Sequence, residues 1–66
     1  MKATINGEPR ELPDGLTVGG LLERLGTART AVAVARNERV VRRADYDEHA
    51  LADGDRIEII KAVAGG

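Results

Sequence analysis

The stretch LTVGGLLERLG, residues 16–26, decides how the rest of the chain is read. Thr17 stands where an N-cap belongs, its hydroxyl able to accept from a backbone N–H that has no partner in the first turn. Val18, Leu21, Leu22 and Leu25 follow at i, i+3, i+4 and i+7, on one face of a helix. Gly26 closes the pattern as the C′ residue, where the left-handed conformation carries no Cβ penalty. The spacing predicts a short helix with a single apolar face. Gly19 and Gly20 sit early in it, each costing roughly 1 kcal/mol relative to alanine. They read as close packing against a sheet or as a loose first turn. No Gly-Lys-Ser/Thr follows them to complete a phosphate-binding loop.

A helix with one apolar face needs a sheet to cover, and the flanking segments supply one. Upstream, Ala3 and Ile5 alternate with Lys2 and Thr4, the period of a half-buried strand. Asn6-Gly7 is a dipeptide suited to the positive φ angles of a tight hairpin turn. The return strand, Glu8 to Leu12, carries Pro9, which cannot donate to a ladder and so predicts a sheet edge. Pro13-Asp14-Gly15 then turns the chain toward the helix. Downstream, Ala31 to Ala35 form an apolar run of strand length, expected to be buried on both faces. Asn37-Glu38-Arg39 turns it and Val40-Val41 begins a short partner strand. Residues 42 to 52 are irregular, with Tyr46 and Leu51 as anchors onto the core. Asp53-Gly54-Asp55 makes a tight turn, and a last strand runs from Arg56 to about Val63 before Ala64-Gly65-Gly66. Hairpin, helix, short strands and final strand predict an α+β fold of the β-grasp type, four to five strands in a mixed sheet under one helix. Residues 1–66 are expected to form a single domain with a flexible tail.

Composition removes most kinds of chemistry. The 66 residues include no cysteine, serine, phenylalanine or tryptophan, one tyrosine and one histidine. Nucleophilic serine and cysteine, cysteine zinc sites and aromatic platforms for bases are thereby excluded. Ten basic and eleven acidic residues give a formal charge of −1, so nothing drives binding to nucleic acid. No apolar run approaches the ~20 residues of a membrane span, and MKATINGEPR lacks a signal-peptide core. Cytoplasmic residence is the expectation. His49, beside Asp47 and Glu48, reads as a solvated surface residue. The Asp45, Asp47, Glu48 group lacks the spacing of a calcium loop. Arg36, Arg39, Arg42 and Arg43 are clustered enough to meet an acidic surface, although scattered surface arginines explain them equally well.

What remains is the end of the chain. Ala64-Gly65-Gly66 puts an α-carboxylate on a tail without bulk, reaching about 10 Å when extended. Such a tail can thread a channel that a larger side chain would block. The carboxylate is ionised at neutral pH and is a poor electrophile until activated. A frayed terminus is the plain alternative.

TINGEPREL near the start, LTVGGLLERLG in the middle and DGDRIEIIKAVAGG at the end resemble the ThiS family, the sulfur carriers of thiamine biosynthesis. The resemblance covers essentially the whole chain, and Asp53-Gly54-Asp55 followed by a strand and Gly65-Gly66 is its most specific part. Ubiquitin and the small subunit of molybdopterin synthase share the fold and the tail. The resemblance implies that Gly66 is adenylated by a ThiF-type enzyme using ATP and magnesium. Sulfur from cysteine, released by a desulfurase, then converts it to a thiocarboxylate, and thiazole synthase (ThiG) accepts that sulfur. Gly66 is the covalent site, with Gly65 and Ala64 as the slender tail. The carrier itself binds no cofactor and contributes no acid or base. In the last strand Ile57, Ile59 and Val63 share the core parity, while Glu58, Ile60 and Ala62 face outward. Related carriers place a partner surface at such an exposed isoleucine, so Ile60, with Ala62 and Val63, is the expected interface. Carriage of sulfur to molybdopterin or another relay is the alternative within this chemistry, and an interaction module whose tail is never activated is the alternative outside it.

Overall fold

Strand order in the sheet is β2-β1-β5-β3-β4, so the last strand lies in the middle and the opening hairpin occupies one side. The computed structural model describes residues 1–61. Its elements are β1 (Lys2–Ile5), β2 (Glu8–Glu11), α1 (Val18–Arg24), β3 (Val32–Arg36), β4 (Arg39–Val41) and β5 (Arg56–Lys61), with short 3₁₀ turns at Arg29–Ala31 and Arg43–Asp45. β1 runs parallel to β5 and antiparallel to β2, while β3 is antiparallel to both β5 and β4. One α-helix on a five-stranded mixed sheet is the β-grasp arrangement expected from the sequence.

The helix ends as its residues dictate. Thr17 accepts from Gly20 N–H at 3.1 Å. At the other end Thr27 N–H donates to the Leu22 carbonyl and Gly26 N–H to Glu23, with Gly26 at φ +69°. This paired closure, a Schellman motif, satisfies carbonyls that would otherwise lack partners. Val18, Leu21 and Leu22 are buried, but Leu25, the C-cap residue, is 37% exposed. As the residue at which the helix closes, it stands at the edge of the covered stripe.

The glycine pair has a different cause from the one expected. A Cβ on Gly19 would strike Asp47 Oδ1 and the Arg29 guanidinium, so Gly19 makes room for a bidentate ion pair rather than for the sheet. Gly20 instead faces the Leu16 side chain.

Pro9 lies in β2 at the sheet edge, opposite Thr4, where its missing N–H leaves no gap in the ladder. The run Ala31 to Ala35 is buried on one face and not on both, contrary to the expectation. β3 starts at Val32, and only Val32 and Val34 are buried; Ala33 is exposed and Ala35 half-buried. The helix covers one face of the sheet, so the alternate alanines look outward. The core comprises Ala3, Ile5, Leu12, Val18, Leu21, Leu22, Val32, Val34, Tyr46, Leu51 and Ile57. Tyr46 and Leu51 anchor the irregular segment, as expected, and Tyr46 also accepts Gly19 N–H through its carbonyl at 2.9 Å.

Candidate functional site

β5 carries the chain from a buried foot to the tail, and its two ends are built differently. The foot is the turn Asp53-Gly54-Asp55. Asp53 Oδ1 accepts Lys2 N–H at 2.6 Å, and Gly54 N–H donates to the Lys2 carbonyl at 2.7 Å. Asp55, only 5% exposed, accepts from Ala52 N–H at 2.8 Å and from Asn37 Nδ2 at 3.0 Å, and pairs with Arg36 Nε at 2.7 Å. Burial alone would push the Asp55 carboxyl up. The Ala52 N–H, the Asn37 amide and the Arg36 charge outweigh it and hold the group below its ordinary value. A buried charge with this many partners is satisfied rather than reactive.

Near its far end β5 has two consecutive isoleucines, which breaks the alternation that precedes them. Ile57 is buried and Ile59 packs partly against the core. Ile60, on the opposite parity, is 61% exposed. It stands directly across from Ala33, while Ala35 on the same strand faces Val40 of β4, itself 79% exposed. The open face of the sheet therefore carries an apolar strip of Ile60, Ala33, Ala35 and Val40. Ile60 was legible from sequence; Val40 was not, because in Val40-Val41 only the β3–β4 register tells which valine points out.

On the side facing β1, the carbonyls of Asp55, Ile57 and Ile59 each find a donor. Thr4 N–H reaches the Asp55 carbonyl at 2.9 Å, and Asn6 N–H reaches Ile57 at 2.8 Å. β1 then ends, and the Asn6 side chain takes over. Its Oδ1 accepts Ile59 N–H at 2.8 Å and its Nδ2 donates to the Ile59 carbonyl at 3.3 Å. Lys61 pairs with Val32 on the other side. The candidate residues Ala62, Val63, Ala64, Gly65 and Gly66 lie outside the described residues.

The other candidates disperse. Of the arginines, Arg36 is held by Asp55 and Arg43 donates to the Thr30 carbonyl at 3.3 Å, while Arg39 and Arg42 are exposed on either side of Val40-Val41. Arg29 grips Asp47 at 2.6 and 2.8 Å, and that hydrogen bonding draws the Asp47 carboxyl below its ordinary value. His49 is exposed, and among the described residues no three His, Cys, Asp or Glu side chains come together as metal ligands. No helix among them is long and apolar enough to cross a membrane.

Comparison with known proteins bears on the whole of this arrangement. A model of the ThiS family matches residues 3–66. The sulfur carrier protein ThiS of Escherichia coli is 33% identical over 66 residues, which is all of both chains. A thiazole synthase of Paramagnetospirillum magneticum is 42% identical over 66 residues, all of this chain and 20% of that protein, so the chain spans a fifth of that relative. The crystal structure of a thiamine biosynthesis protein (ThiS) from Geobacter metallireducens superposes with a TM-score of 0.85 at 33% identity, covering both chains fully.

Proposed function

The chain belongs to the ThiS family, and from that premise we propose that it is a sulfur carrier in the making of the thiazole part of thiamine, a co-substrate of other enzymes and not an enzyme itself. The observation that carries this reading is the end-to-end likeness to the Escherichia coli carrier. Gly66 is the group that is modified. A ThiF-type adenylyltransferase joins its carboxylate to AMP at the expense of ATP with magnesium, releasing pyrophosphate. The outer sulfur of a persulfide, formed from cysteine by a desulfurase, displaces AMP to give an acyl disulfide, and a thiol reductant cleaves its S–S bond to leave the thiocarboxylate. The carboxylate needs this activation because an ionised acid resists nucleophilic attack. Gly65 and Ala64 let the end enter a narrow partner site, and Ile60, with Ala62 and Val63, meets the partner's surface.

Thiazole synthase is the acceptor in this reading. The likeness of the whole chain to a fifth of a thiazole synthase polypeptide supports that pairing, since a tether raises the local concentration of carrier beside enzyme. Delivery to molybdopterin or another relay uses the same activation and differs only in the acceptor.

Intact mass after incubation with a ThiF-type enzyme, ATP, magnesium and a sulfur source tests the proposal. The full chain gains the mass of one oxygen-to-sulfur exchange, and the chain without Gly66 gains nothing. An unchanged mass, with a partner that activates the Escherichia coli carrier under the same conditions, contradicts it.

A further inference from the structure

We infer that Asn6, in the first hairpin turn, is a positioning residue for the carboxyl-terminal tail, and that the partner's grip on the tail depends on its side chain. The inference rests on the carrier reading above. The Asp55 carbonyl, just before β5, and the Ile57 carbonyl within it meet N–H groups of Thr4 and Asn6 on the β1 side, but β1 reaches only as far as Ile5. Ile59 would present an unpaired N–H and carbonyl at that edge. The Asn6 amide answers both, at 2.8 and 3.3 Å, in the manner of one more strand residue. The amide thus extends the sheet beneath the root of the tail. Ile60, the exposed isoleucine of the open face, follows directly, and only Lys61 separates it from Ala62. Ile60 and Lys61 are held by β3 on one side only, so the Asn6 clamp on Ile59 secures the other side of β5 immediately before them. A root ordered before docking spares the complex the entropy of ordering it.

The second hairpin supplies the control. Asn37 plays the same part at the foot of β5, its Oδ1 accepting Arg56 N–H at 2.9 Å and its Nδ2 donating to Asp55 at 3.0 Å. Both asparagines have positive φ, +52° and +51°, so glycine at either site keeps the turn and deletes only the side-chain hydrogen bonds. Initial rates of pyrophosphate release by a ThiF-type enzyme, over a range of carrier concentration, are measured for the full chain, Asn6→Gly and Asn37→Gly, with urea midpoints for each.

Asn6→Gly raises KM roughly five- to tenfold, the entropy of about one backbone residue, and leaves kcat unchanged. Asn37→Gly lowers the urea midpoint at least as much and leaves KM within about twofold of the unsubstituted chain. Equal effects of the two substitutions on KM, or none from Asn6→Gly, overturn the role of Asn6 while the carrier reading stands. If the unsubstituted chain releases no pyrophosphate, the carrier reading fails and this role fails with it.

Discussion

The two ends of β5 solve one problem, how to hold a central strand, by opposite means. At the foot a carboxylate is taken out of water and surrounded by an arginine, an amide and a backbone N–H. At the head an exposed amide makes two hydrogen bonds and an isoleucine is left in solvent. Buried ionic networks are unforgiving when one member is lost, whereas exposed neutral hydrogen bonds contribute modestly. Losing one partner should therefore cost more at the foot than at the head.

The largest effect that could break this contrast is at the foot. Asp55→Ala leaves Arg36, Asn37 and Ala52 N–H without their acceptor and lowers unfolding free energy by about 2–4 kcal/mol in a urea titration. A loss no greater than that of an ordinary surface substitution would erase the distinction. The same carboxylate gives the foot a pH signature. Its folded pKa lies below the unfolded value, so its contribution is fully present above the ordinary carboxylate range and is lost as pH falls through the folded value. Acid unfolding monitored by circular dichroism should therefore show a stability loss in that window that Asp55→Asn removes.

At the head the prediction separates binding from folding. Ile60→Asp puts a charge on the open apolar strip and weakens binding to a ThiF-type partner by about tenfold or more in calorimetry, while the urea midpoint barely moves. Unchanged affinity would take Ile60 out of the interface, and a collapsed midpoint would return it to the core. Val40→Asp, across the same strip, extends the test to a residue outside the expected interface.

The smallest effect lies in the turns. Asn6-Gly7 places a permissive glycine at its second position, but Asn37-Glu38 puts glutamate at φ +71°. Glu38→Gly should raise stability by about 0.5–1 kcal/mol, the relieved Cβ clash less the added freedom of the unfolded chain and the exposed pair with Arg56. A loss of stability instead would mean that the Arg56 pair outweighs the backbone strain.

How far the sequence reaches follows from the range of each interaction. Thr17, the Val18 to Leu22 spacing, Gly26, Asn6-Gly7 and Pro9 act within a few residues, and each has the role its local chemistry predicts. The outward alanines of β3 and the exposed Val40 depend on which face the helix covers and on register, so an apolar run alone misled. The asparagine clamps join residues 53 and 19 positions apart, and nothing near Asn6 or Asn37 announces more than a turn. Asp53 and Asp55 read as turn formers for the same reason, since Lys2, Arg36 and Asn37 reach them only in the folded sheet.

The most direct trial of the carrier itself is growth without thiamine in cells whose only source of this function is the present chain. Cells given the full sequence grow, and cells given the sequence lacking Gly65-Gly66 do not, although both proteins accumulate equally. Equal growth with the trimmed chain would mean that the terminal carboxyl group is not where the sulfur rides.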